Sequence, residues 1–130
     1  MPETRPSCVL LADRHHGLTE GVRGLLTSAF GTVVMVADEA SLLEMASRIR
    51  PEVAVVDLSL ARDSGLGWLR ALRQTCPDVK VVVLSVHDEE CIRRAAMDAG
   101  ADAFVLKRAI ATDLLDAVEN VRGPRSGEPQ

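Results

Sequence analysis

The sequence predicts an α/β domain in which five helices wind onto both faces of one five-stranded parallel sheet. Two observations carry this. Five short apolar runs rich in β-branched residues recur along the chain: Val9–Ala12, Val33–Ala37, Val53–Val56, Val79–Leu84 and Ala103–Leu106. They are nearly continuous rather than alternating, the pattern of strands covered on both faces. Between them lie segments of helical length and spacing, and right-handed strand–helix–strand crossovers then give a doubly wound sheet.

Taken in order, the first run is followed by Leu18, Val22, Leu25 and Leu26, which share one face of a helix. The second helix has two candidate starts: Ser41-Leu-Leu-Glu44 reads as a capping box, and Asp38 serves equally well as the cap. It stops before Pro51, the third helix before Pro77, the fourth at Gly100 and the fifth at Gly123-Pro124. The domain is thus expected over residues 1–122. Residues 123–130, all Gly, Pro, Ser and polar or charged groups, read as a flexible tail or the start of a linker.

Composition narrows the function. The 130 residues fit one domain, with 47% hydrophobic and 26% charged residues, and that is enough to bury a core. A net charge of −4 with interspersed signs announces neither nucleic acid nor an anionic membrane. Three aromatics, Phe30, Trp68 and Phe104, make no stacking platform for single-stranded bases. Cys8, Cys76 and Cys91 lack metal spacing and point to reduced thiols in a cytoplasmic protein. No apolar stretch approaches a bilayer span and no signal peptide is visible, so no membrane association is expected.

The chemistry lies at the ends of the runs. In open α/β sheets the ligand crevice sits beyond the carboxyl ends of the strands, where strand order reverses. Asp13 follows the first run, Asp57 the third, Ser85 the fourth and Lys107 the fifth. A carboxylate nucleophile, a hydroxyl and a cation suit phosphoryl transfer onto an aspartate. Taken singly, each residue has a plainer explanation: Asp13 as a helix cap, Ser85 bonded to local backbone, Lys107 solvated. Four matched strand ends favour a common site.

These stretches resemble a known family. VLLADRHHGLTEGVRGLL resembles the opening strand, acidic turn and first helix of response-regulator receiver domains, in the style of the NarL/FixJ group. PEVAVVDLSL resembles the phosphoacceptor strand, VVVLSVHD the strand ending in the switch hydroxyl, and GADAFVLKRA the strand ending in the lysine. The likeness runs from about Cys8 to Val121. It implies a flavodoxin-like (βα)5 fold of strand order 2-1-3-4-5. It further implies that Asp57 accepts a phosphoryl group from a sensor histidine kinase, a phosphotransfer protein or a small phosphodonor. Ser85 would contact that group, Lys107 would pair with it, and Phe104 would be the aromatic that changes position as the surface of the fourth helix, fifth strand and fifth helix switches. Mg²⁺ would be held by Asp13, Asp57 and the Ser59 backbone carbonyl. Relatives often continue into a C-terminal DNA-binding output domain, absent from this chain, and a homodimer is a further expected partner.

One position departs from that pattern. Receivers of this type carry two adjacent acids after the first strand, and here the pair is Asp13 and Arg14. Arg14 replaces the acid that touches Mg²⁺ directly, whereas Asp13 matches the acid that acts through water. Magnesium demands octahedral oxygen ligands, so its binding is expected to be weakened. One place for the guanidinium is a bridge between Asp13 and Asp57. This departure supports an alternative, a pseudo-receiver that acts as a protein-interaction module without phosphorylation. An enzyme is not expected. Aspartyl-nucleophile phosphatases carry a second Asp two residues after the nucleophile, and that position is Ser59. His15 and His16 read as polar loop residues rather than zinc ligands. Gly65-Leu-Gly67 reads as a turn, lacking the third glycine of a dinucleotide loop.

Overall fold

The computed structural model describes residues 8–14, 16–28, 30–60 and 65–122, with the backbone alone for 16–20 and 122. The expected tail, 123–130, and His15 lie outside the described residues. Five strands, β1 (Cys8–Ala12), β2 (Thr32–Val36), β3 (Val53–Asp57), β4 (Lys80–Ser85) and β5 (Ala103–Leu106), form one parallel sheet in the order β2-β1-β3-β4-β5. They alternate with α1 (His16–Thr27), α2 (Glu39–Ile49), α3 (Gly67–Thr75), α4 (Glu90–Asp98) and α5 (Ile110–Arg122). Fold class and strand order are as the sequence and the resemblance imply.

Strand alternation sorts the core into two layers. Leu10, Ala12, Ala54, Val56, Val81 and Val83 face α2, α3 and α4, where Leu42, Trp68, Leu69, Leu72 and Ala96 meet them. Val9, Leu11, Val53, Val55, Val82 and Leu84 face α1 and α5, against Val22, Leu26, Leu114 and Val118. Three helices therefore cover one face and two the other. The three central strands are buried almost throughout, while the edge strands β2 and β5 are only partly buried. Their continuous apolar runs overstate their burial because each has a neighbour on one side alone. β2 and β4 also sit one residue away from their expected bounds. Val79 precedes β4 because its N–H closes a turn on the Cys76 carbonyl at 3.2 Å.

The helix ends follow local chemistry. Of the two starts open for α2, the structure uses Asp38: extended, it accepts the Ser41 N–H at 2.7 Å. Arg50 closes α2 in the left-handed region at φ 49°, one residue before Pro51. α4 ends in a Schellman turn, in which Gly100 N–H bonds the Met97 carbonyl and Ala101 N–H that of Ala96, both at 3.1 Å. Gly100 supplies the required positive φ, 121°. Gly67 is the first residue of α3 rather than part of a turn. Replacing Asp38 with alanine is expected to lower the melting temperature by about 4 °C, readable by circular dichroism, with Asp38→Ser recovering most of the loss.

Candidate functional site

Asp13, Asp57, Ser85 and Lys107 stand at the carboxyl ends of β1, β3, β4 and β5. The chain leaves β1 for α1 on one face and β3 for α3 on the other, so these ends border the crevice where winding reverses. Continuous apolar strands drive the four polar residues to this edge, and three of them are buried there: Asp13 at 3% exposure, Asp57 at 2% and Ser85 at 1%.

Asp57 is the centre of the cluster. Its Oδ2 accepts the Lys107 ammonium at 2.8 Å and the Ser59 hydroxyl at 2.9 Å, and its Oδ1 accepts the Ser59 N–H at 3.1 Å. A single 3₁₀ turn, Leu58–Leu60, folds Ser59 back onto the carboxylate. Lys107 Nζ also lies 3.6 Å from Asp13 Oδ2, so one ammonium links two buried carboxylates. Burial pushes the Asp57 carboxyl upward. The Lys107 hydrogen bond and charge, together with both Ser59 donors, outweigh that push and hold it below the usual carboxylate range.

Arg14 takes a position different from the expected bridge. Its Nη1 donates to the Ser59 backbone carbonyl at 3.3 Å. That carbonyl is the oxygen the resemblance assigns to the metal. Among the described residues, Asp13 and Asp57 face the Lys107 ammonium, and the Arg14 guanidinium stands on the neighbouring Ser59 carbonyl. Among the described residues no group of three or more His, Cys, Asp or Glu side chains gathers as a metal cradle. A guanidinium on one candidate ligand and an ammonium on another make a donor set that does not fit a tightly held Mg²⁺.

Ser85 and Phe104 have partners outside the Asp57–Lys107 pair. The Ser85 hydroxyl donates to the His87 carbonyl at 3.1 Å and accepts the His87 N–H at 2.9 Å, so it is engaged by its own loop. Phe104 is half-buried on β5, with the Arg93 guanidinium of α4 stacked 5.7 Å from its ring centroid. It lines a shallow cleft of about 400 Å³ with Met97, Ala117 and Val121. Asp88 and Arg108, 2.9 Å apart, tie the loops that follow β4 and β5. The hydrogen bond and charge of Arg108 hold Asp88 below the usual carboxylate range.

Among the contacts that escape the sequence reading are the Ser59 hydroxyl on Asp57 and the Arg93–Phe104 stack. The spacing Asp57-Leu58-Ser59 is the available signal for the first, since a hydroxyl two residues on can reach back to a carboxylate. Nothing in the sequence pairs Arg93 with Phe104.

The response regulator receiver domain family matches residues 9–119. This chain is a receiver domain of that family. It is 36% identical over 120 residues to the nitrate/nitrite response regulator protein NarP of Escherichia coli K12, covering 91% of this chain and 56% of NarP. The chain spans about half the length of the curated relatives it matches. The signal receiver domain of the putative response regulator NarL from Mycobacterium tuberculosis superposes with a TM-score of 0.82 at 29% identity, over 94% of this chain and all of that one. A response regulator from Burkholderia pseudomallei, solved with a phosphorylated aspartic acid, calcium ion and citrate, superposes with a TM-score of 0.77 at 26% identity, over 89% of this chain and 68% of that one. Receiver domains belong to signalling proteins and typically bind Mg²⁺ in an acidic pocket. No described helix is long and apolar enough to cross a membrane.

Proposed function

We propose that this receiver domain accepts a phosphoryl group on Asp57 and converts it into a change of the α4–β5–α5 surface. The observation that carries this is the buried Asp57 carboxylate bonded at 2.8 Å to Lys107 at the neighbouring strand end. The low-lying carboxyl is ionised, as a nucleophile must be. Lys107 is placed to follow the charge onto a phosphoryl oxygen. Release of the Ser85 hydroxyl from His87 toward that group would free space beneath the loop, and Phe104 would then leave Arg93 and turn inward. The Burkholderia relative, with its phosphorylated aspartic acid, supports the same role for Asp57.

The phosphodonor partner is a sensor histidine kinase or phosphotransfer protein, and the output is a DNA-binding segment outside this sequence or a second copy of the domain. Incubation with acetyl phosphate followed by intact mass measurement is expected to add one phosphoryl group to the wild type and none to Asp57→Asn. In the labelled protein, ring NMR signals of Phe104 should shift. An adduct that persists in Asp57→Asn refutes the assignment. A second reading, a pseudo-receiver that signals without phosphorylation, is favoured by the Arg14 contact with the Ser59 carbonyl. Absence of any adduct would establish it over the first.

A further inference from the structure

We infer that Arg14 is the resident cation of this site, so that Asp57 exchanges phosphoryl groups without a divalent metal ion. The inference rests on the phosphoacceptor role of Asp57 and concerns how that role is carried out. Three observations converge on it. Arg14 Nη1 holds the Ser59 carbonyl at 3.3 Å, the oxygen a metal would need. Lys107 holds Asp57 Oδ2 at 2.8 Å and lies 3.6 Å from Asp13 Oδ2, so both carboxylates already face a cation. Among the described residues, the two carboxylates are balanced by two cationic side chains, which weakens the pull on a divalent ion. An acid in place of Arg14 would change the local charge by two units, which makes the Mg²⁺ affinity of the wild type at least about tenfold weaker than that of Arg14→Asp.

The same geometry supplies what the metal would otherwise contribute. A guanidinium carries five donors in a planar fork, and one of the Arg14 donors is spent on Ser59. The others can meet phosphoryl oxygens in pairs, as arginine forks do. With an acyl phosphate as donor, a carboxylate oxygen of Asp57 attacks phosphorus. The new O–P bond forms as the bond from phosphorus to the acyl oxygen breaks, and the carboxylate leaving group departs with the bonding pair. Charge gathered on the equatorial oxygens is then met by Lys107 on one side and Arg14 on the other.

The test follows the labelling of the 130-residue wild type and Arg14→Asp by acetyl phosphate, each with MgCl2 or with excess EDTA, and titrates both proteins with Mg²⁺ by calorimetry. The expected result is labelling of the wild type at the same rate in both solutions and labelling of Arg14→Asp only with Mg²⁺. Wild-type labelling that depends on Mg²⁺, or wild-type Mg²⁺ affinity equal to that of Arg14→Asp, overturns the inference and leaves Asp57 as the acceptor. An unlabelled wild type beside a labelled Arg14→Asp also overturns it, because the guanidinium then blocks the site. If neither protein is labelled, the phosphoacceptor assignment itself falls. Because the wild-type arms decide alone, the inference stays falsifiable even should the variant fold poorly.

Discussion

Lys107→Ala is expected to cost about 3 kcal/mol of stability at neutral pH and to lower the melting temperature by about 10 °C. The ammonium is the shared partner of two carboxylates that are almost completely buried, Asp13 and Asp57. Removing it leaves like charges facing each other in a poorly solvated place, where the Ser59 donors act on Asp57. Lys107→Met keeps the aliphatic stem and should fall nearly as far, which separates lost charge from lost packing. The pH dependence has a definite sign. In the wild type the depressed Asp57 pKa contributes stability at and above the ordinary carboxylate range, and that contribution is lost as pH falls through the lowered value. Without Lys107 burial is opposed by the Ser59 donors alone, so the carboxyl is held less low and protonation costs the variant less as pH falls. The gap between the two melting curves should therefore be widest near pH 7 and narrow toward about pH 5. A constant gap would mean that charge is not the cause.

Gly100→Ala is expected to cost about 2–3 kcal/mol by urea denaturation, although it adds one methyl group at the end of an exposed helix. Part of the cost is the φ of 121°, which side chains rarely adopt. The rest comes from Arg73. A Cβ on Gly100 would lie 2.7 Å from Arg73 Cγ, near the root of a side chain whose tip is fixed. The Arg73 guanidinium donates to the Val79 carbonyl and to Asp102 Oδ2, the latter at 3.1 Å, while the same Asp102 oxygen accepts the Val81 N–H at 2.8 Å. Arg73 therefore clamps the amino ends of β4 and β5 and cannot swing aside cheaply. In an Arg73→Ala background the Gly100→Ala increment should shrink to the backbone part. Simple additivity of the two substitutions would rule out the steric coupling.

Asp13, Asp57 and Lys107 were legible as one cluster because each ends an apolar run, and a parallel sheet brings the ends of its strands to a common edge. The arrangement within the cluster was less legible. Arg14 was recognised as the departure, but its partner is a backbone carbonyl, which has no signature in sequence, and a side chain of four torsions has many places to go. Ser59 was credited with its carbonyl alone, whereas its hydroxyl and N–H both turn onto Asp57. Ser85, expected to contact the phosphoryl group once Asp57 carries one, bonds to the His87 carbonyl and N–H, a local backbone pairing with no signature in the sequence. The Arg73–Asp102 clamp and the Arg93–Phe104 stack join residues far apart in the chain, or with no periodic relation, and only tertiary packing brings them together.

Under the proposed switch, the resting bonds of Ser85 would set a noise floor for the signal. Two ordinary hydrogen bonds to His87 are together worth about 1–3 kcal/mol, so roughly one molecule in ten to one in a hundred holds the hydroxyl released at any moment. If released Ser85 marks the signalling conformation, that fraction is the background output of an unstimulated cell, and its reciprocal bounds the largest fold-induction any kinase can produce. On that reading, trading a carbonyl and an amide of its own loop for a phosphoryl oxygen would place the limit on dynamic range at a single side chain.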